Sequence, residues 1–452
     1  MTNSTVSLDD KYSIESGRIF VTGVQALARI PMVQRQRDVL EGLNTAGFIS
    51  GYRGSPVGGF DQQLWRAKKF LEQNHIRFQP GLNEDLAASA VWGSQQTNLH
   101  EGGKYDGIFA IWYGKGPGVD RCGDVFKHGN MSGPAKHGGV LLIAGDDHAA
   151  KSSTVPHQSE YAFMDASIPV LNPAGLQDIV DYGILGFAMS RFSGCWVAFK
   201  TTAENMDSSA SIDVSPDRVK ISLPKFDMPE GGLSIRWPDD WIEQEHRLHQ
   251  YKLNAARAFA RQNKIDKTII DSQNPKLGVV TTGKSYLDVR QALEDLGINE
   301  AKADKIGLRL YKVGMPWPLE PQGIDEFSQG LKEILVIEEK RPIIESQLKE
   351  HLYNHSPKNR PNVVGKYDEK GQFLQPAAGE LNPSLIAKVI ASRILQFSEE
   401  TTIREKLKFM QDKENGLIKS ETDFARTPFF CSGCPHNTST KVPDGSRATA
   451  GI

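Results

Sequence analysis

Gly139-Val140-Leu141-Leu142-Ile143-Ala144-Gly145, running directly into Asp146-Asp147-His148, is the stretch that decides the fold. An unbroken aliphatic run with no polar alternation reads as a strand buried on both faces, the kind found in parallel sheets covered by helices. Working outward, Gly107-Ile108-Phe109-Ala110-Ile111-Trp112 has the same character and precedes Gly114-Lys115-Gly116-Pro117-Gly118-Val119-Asp120. Upstream, a helix pattern over 24–46 and a short strand over 48–52 lead into the loop Gly51-Tyr52-Arg53-Gly54-Ser55-Pro56-Val57-Gly58-Gly59-Phe60, and downstream a helix over 176–191 and a strand over 195–200 follow. Alternating strands and helices, each strand ending in a glycine-rich or acidic loop, give an α/β, doubly wound first domain over 12–214.

From 215 to 274 the pattern loosens into proline-rich connections around one polar helix over 241–262, which reads as a connector. A second, smaller α/β unit is expected over 275–398, with strands over 277–282, 306–313 and 334–338 and helices over 286–296, 322–331, 343–353 and 383–396. The remainder, 399–452, is polar and reads as the opening of a further domain.

At 452 residues, 39% hydrophobic and 24% charged, the chain is long enough for two or three cores. A formal charge of -2 without a lysine or arginine block argues against a nucleic-acid or membrane-surface partner. No apolar run is long enough to span a bilayer, and Met1 to Lys11 lacks the order of a signal peptide, so a cytoplasmic location is expected. Cys122, Cys195, Cys431 and Cys434 are too few for a disulfide framework.

Candidate chemistry gathers in the loops, because open parallel sheets bind ligands beyond the carboxyl ends of their strands. In Gln79-Pro80-Gly81-Leu82-Asn83-Glu84-Asp85, a Pro-Gly turn delivers Asn83 as a helix cap and Glu84 as the first helical residue. The small-residue run after it, with Ala87 and Ala88, lets another surface approach closely. By itself an acid in a helical first turn is also an ordinary complement to the macrodipole. The loop after 48–52 is neither G-x-G-x-x-G nor a phosphate loop, but Arg53 and Ser55, around Gly54, offer a charge and a hydroxyl suited to an anionic group. Lys115, Asp146, Asp147, His148, Lys151, Ser152 and Ser153 suit polar substrates and are equally ordinary loop residues. His148, His157 and His436 have no zinc-protease or triad spacing. The pair Cys431-x-x-Cys434 suits a redox dithiol, half of a structural zinc site, or half of an iron-sulfur cluster.

Taken together these segments resemble the 2-oxoacid:ferredoxin oxidoreductases, and within them the long fused indolepyruvate type. The matching stretches are Thr22-Gly23-Val24-Gln25-Ala26-Leu27, Ile49-Ser50-Gly51-Tyr52-Arg53-Gly54-Ser55-Pro56, Asn83-Glu84-Asp85, Gly145-Asp146-Asp147 with Ser152-Ser153, and Cys431-Ser432-Gly433-Cys434-Pro435-His436, in the family's order. The resemblance implies a thiamine diphosphate-binding domain of the pyrimidine type, followed by a transketolase C-terminal-like domain of architectural role. It implies that Glu84 is the carboxylate hydrogen-bonded to N1′ of the aminopyrimidine, favouring the imino tautomer that deprotonates the thiazolium carbon. Gly54, Asn83, Lys115 and Asp146 would belong to the cofactor site, Arg53 and Ser55 would meet the 2-oxoacid, and Cys431 and Cys434 would hold part of a [4Fe-4S] cluster.

Implied partners are the 2-oxoacid, coenzyme A and ferredoxin, in a homodimer of the complete enzyme. The Gly-Asp-Gly and distant asparagine that hold Mg2+ and diphosphate, and a ferredoxin-type run of four cysteines, do not occur here, so the expectation is the N-terminal portion of a longer enzyme. The alternatives are a non-oxidative thiamine-dependent decarboxylase or transketolase-like subunit, and a non-catalytic scaffold.

Overall fold

The structure, a computed structural model, describes residues 6–151, 153, 155–418 and 429–448. Ser152 of the polar loop and Arg426 to Pro428 ahead of the cysteine pair lie outside the described residues. The described strands, in chain order, are β1 (Arg18–Thr22), β2 (Thr45–Gly51), β3 (Ile76–Phe78), β4 (Gly107–Lys115), β5 (Val140–Asp146), β6 (Val170–Leu171), β7 (Val197–Thr202), β8 (Ser209–Asp213), β9 (Lys267–Ile270), β10 (Leu277–Thr282), β11 (Leu308–Val313), β12 (Glu333–Ile337) and β13 (Asn362–Val364).

Six of them form an all-parallel sheet in the order β3-β2-β4-β5-β7-β6. Every residue of β5 is buried, as its aliphatic run requires. Helices Gly23–Leu40 and Leu176–Ser193 cover one face around Ile30, Phe109 and Phe187. Helices Glu84–Gln95 and Gly123–Ser132 cover the other around Trp112, Phe126 and Trp196. The chain runs from β2 outward to β3 and then back past β2 to β4, so the order reverses between β2 and β4. That reversal opens a crevice beyond their carboxyl ends, where Gly51 and Lys115 lie.

Helix Gly23–Leu40 ends earlier than its sequence pattern suggests, because Gly42, at φ +78°, turns the chain and β2 begins at Thr45. Arg29, Gln34 and Asp38 of this helix are buried along with its apolar residues, so no polar face marks its end. The ribbon of β1 and β8, paired antiparallel, joins two short segments far apart in sequence and has no local signal.

The second sheet has five strands, β13-β12-β10-β11-β9, where three were expected. The core trio is parallel, β13 extends it in parallel, and β9 closes the other edge antiparallel. The predicted start of β11 at 306 is corrected to Leu308: Ile306 ends helix Glu300–Ile306, and Gly307 in the left-handed conformation at φ +80° caps it. The connector helix runs from Trp241 to Gln262 through one π-helical turn, Leu248–Lys252. Buried Lys252 reaches across to cap helix Gly123–Ser132 by donating to the carbonyls of Asn130 and Met131 at 3.0 and 2.8 Å.

The two sheets meet edge-on through the strand ends. Val170 N–H donates to Trp317 O at 2.7 Å and Asn172 N–H to Gly314 O at 2.9 Å, while the guanidinium of Arg341 lies 3.9 Å from the ring centre of Tyr161. Among the described residues no helix is long and apolar enough to cross a membrane.

Candidate active site

The crevice between β2 and β4 is assembled from three loops. The turn before helix Glu84–Gln95 is pinned to β2 by Gln79 N–H to Ile49 O and Gly81 N–H to Gly51 O, both 2.9 Å. Asn83 then caps the helix, its side-chain oxygen accepting from Leu86 N–H at 2.9 Å. Glu84, the first helical residue, is half-buried, and its carbonyl accepts from the Trp112 indole N–H at 3.1 Å. Its side chain runs along the short helix Gly116–Arg121 that follows β4. A methyl group on Gly118 would sit 2.5 Å from Glu84 Cγ and 2.9 Å from Oε1, so only glycine leaves that carboxylate its present position. Lys115, at the end of β4, lies against Gly54 of the β2 loop, where an added Cβ would meet its Cδ at 2.7 Å.

The structure therefore brings Gly54, Asn83, Glu84 and Lys115 to one mouth. Arg53 and Ser55 are exposed on the same loop, with the Ser55–Pro56 peptide cis. Sequence reasoning missed the residues that support this mouth. Tyr113 donates its hydroxyl to Asp61, and burial followed by that bond raises the phenol well above its ordinary range, so it stays protonated. Gly116 leaves room for the His157 ring, whose Nε2 lies 2.9 Å from Asp120. The signal was present in the glycine spacing 114-116-118, which reads as a loop but leaves room for the side chains of Trp112, His157 and Glu84 in turn.

Ala87 and Ala88 are fully buried against Ala110 and Trp112, so the surface that their small size admits is that of their own sheet. Asp146 stands elsewhere. Its carboxylate is fully buried, accepting from Ser159 N–H at 2.9 Å and Ser159 Oγ at 2.5 Å, and lies 3.5 Å from Lys200 Nζ. Lys200 in turn binds Glu160 at 2.5 Å. This cluster continues across the junction to Glu339, Lys284 and Lys340, the last donating to His148 O. His148 is held neutral, its pKa driven far down by burial and then by Lys200, Lys340 and Lys284.

Cys431 is exposed and Cys434 half-buried, on a turn closed by Cys434 N–H to Cys431 O at 3.0 Å. Cys434 Sγ lies 3.3 Å from His436 Nδ1. Cys122 and Cys195 are buried with thiols pushed up by desolvation, which makes neither a nucleophile.

These features describe an α/β domain with a carboxylate at its switch point, docked to a smaller α/β domain. Residues 267–416 match the indolepyruvate oxidoreductase domain. Along nearly its whole length the chain is similar to the indolepyruvate oxidoreductase IorA subunits. It is 24% identical to that of Pyrococcus horikoshii, over 93% of this chain and 58% of the relative, and 24% identical to that of Methanothermobacter thermautotrophicus, over 93% and 59%. The chain thus spans 58% and 59% of the length of these relatives. In fold it is similar to the 2-oxoglutarate:ferredoxin oxidoreductase of Magnetococcus marinus, with TM-score 0.58, 15% identity, and coverage of 83% of this chain and 65% of that one. The resemblance to the indolepyruvate oxidoreductases seen in the sequence is borne out.

Proposed function

We propose that this chain supplies the aminopyrimidine-facing half of a thiamine diphosphate site in an indolepyruvate, or other aryl 2-oxoacid, ferredoxin oxidoreductase. The observation that carries the reading is Glu84 held half-buried at the β2/β4 switch point against the bare backbone of Gly118. The residues fit that half of the cofactor: a fixed carboxylate that shares a proton with a ring nitrogen, and a glycine surface on which a flat ring lies close. When bound, thiamine diphosphate supplies the electron sink for decarboxylating a 2-oxoacid. Glu84 holds and returns the proton, Asn83 fixes the helix start that orients Glu84, and Lys115 and Arg53 place positive charge at the rim for an anionic substrate or cofactor. Mg2+ and the diphosphate would be held mainly by residues outside this chain.

Cys431 and Cys434 fit two thiolate positions of a [4Fe-4S] cluster, the route by which electrons would leave for ferredoxin, with coenzyme A taking the acyl group. The unit over 275–398 would be architectural, because its own switch point, between β10 and β12, is covered by the first domain: Gly283 lies against Asn172, and Lys340 donates to His148 O.

The test is ferredoxin reduction by the complete assembly containing this chain, with thiamine diphosphate, Mg2+, coenzyme A and indolepyruvate. Reduction that depends on both the cofactor and coenzyme A is expected. Release of free aldehyde without ferredoxin reduction would instead favour the non-oxidative decarboxylase.

A further inference from the structure

On the second domain, away from the Glu84 crevice, helices Pro321–Ser328 and Ile344–Leu352 pack side by side on one face of the five-stranded sheet, sharing a core of Ile324, Phe327, Ile344, Leu348 and Leu352. At their solvent edge three ligating side chains converge. His351 and His355 are four residues apart, one turn, and the turn carrying His355 is closed by its N–H to Leu352 O at 3.0 Å. Asp325 faces them from the other helix: its Oδ1 lies 2.7 Å from His351 Nε2 and 3.7 Å from His355 Nε2. The ligand atoms of all three lie within 4.8 Å of one another.

We propose that Asp325, His351 and His355 form a site for a divalent transition-metal cation of the zinc class, which clamps the two helices together. Two imidazole nitrogens and one carboxylate oxygen are a zinc-type donor set, and bonds of about 2.0–2.2 Å place ligand atoms roughly 3.3 Å apart in a tetrahedron. The two Asp325–histidine separations fall on either side of that value, so side-chain adjustment alone admits the ion. Each histidine binds through Nε2 as the neutral tautomer with its proton on Nδ1, which replaces the present His351–Asp325 hydrogen bond by two metal bonds. The side chains are 28%, 39% and 43% exposed for His351, His355 and Asp325, so the ion enters without opening the fold and water completes the coordination. The site does not depend on the thiamine reading, since none of its residues touches that crevice.

The experiment is zinc titration of the full chain by calorimetry, with thermal melts, in a C431S/C434S background so that the thiolates do not compete for the ion. One equivalent of Zn2+ bound, reversed by chelator, with a rise in Tm is expected. Adding H351Q and H355Q abolishes both signals, and D325N, which keeps the shape of the side chain, weakens binding at least about tenfold while circular dichroism stays that of the parent. Absence of binding in the parent, or binding unchanged in H355Q and D325N, would show that the three side chains make only a hydrogen bond and would overturn the proposal.

Discussion

Glu84 is positioned by groups that have no chemistry of their own: the Asn83 cap below it, the Trp112 indole on its carbonyl, and the absent side chain of Gly118 beside it. A methyl group at 118 must displace either the carboxylate or the Gly116–Arg121 helix. Gly118→Ala in the complete assembly is therefore expected to lower kcat by about tenfold to a hundredfold, the cost of misplacing a reacting group by roughly an ångström, with a near-native Tm. Steady-state kinetics beside a melt check this, and unchanged kcat would mean that the carboxylate is not fixed there. At this scale the sequence shows Glu84 and its cap directly, because capping is local chemistry. Asp146 shows the opposite case. It reads as a loop ligand, yet its charge is spent on Lys200, whose ammonium sits inside the wholly buried strand β7 and declares its partner only after folding.

Among the elements, the helix Ile344–Leu352 begins on a buried acid. Glu338 accepts from the N–H groups of Ile343, Ile344 and Glu345 at 3.1, 3.0 and 3.1 Å, yet burial outweighs these bonds and raises its pKa to about 7. A carboxyl whose folded pKa is raised contributes stability that is full below its unfolded value, near 4.3, and is lost as pH rises through about 7. Melts of Glu338→Gln and the parent are expected to diverge in favour of the variant between pH 5 and 8, a window set by that shift. A difference independent of pH would contradict it.

Helix Pro383–Phe397 is tied to β12 by a second buried group. Arg393, 2% exposed, makes a two-pronged pair with Glu333, with Nε to Oε1 at 2.6 Å. Arg393→Met leaves that acid uncompensated, and a loss of about 3–5 kcal/mol in denaturant unfolding is expected. A loss below about 1 kcal/mol would place the pair in the weak, solvent-screened class. Aliphatic strands such as β5 and β10 are legible from the sequence because burial on both faces writes itself into every residue. The edge strands β9 and β13 and the β1–β8 ribbon are not, because partner strands rather than composition hold them.

Across the whole molecule, two sheets present two switch points, and packing treats them differently. The one between β10 and β12 is closed by Asn172, Lys200 and Glu160 of the first domain, whereas the one between β2 and β4 keeps its carboxylate half-exposed. On the proposed thiamine reading, the cofactor contacts that this open half-site lacks come from further polypeptide. The purified chain, given thiamine diphosphate, Mg2+, indolepyruvate, coenzyme A and ferredoxin, is expected to show no turnover, with activity appearing only when the completing polypeptide is added. Turnover by the chain alone would contradict this.

The most direct test is Glu84→Gln in the complete assembly, with kcat for cofactor-dependent ferredoxin reduction and the affinity for thiamine diphosphate both measured. Glutamine keeps the shape and a hydrogen bond but cannot share a proton with the ring, so kcat should fall by about a hundredfold or more while the cofactor still binds. Turnover equal to that of the parent, with the cofactor bound, would show that Glu84 is a surface acid at a helix terminus and not the carboxylate around which the site is built.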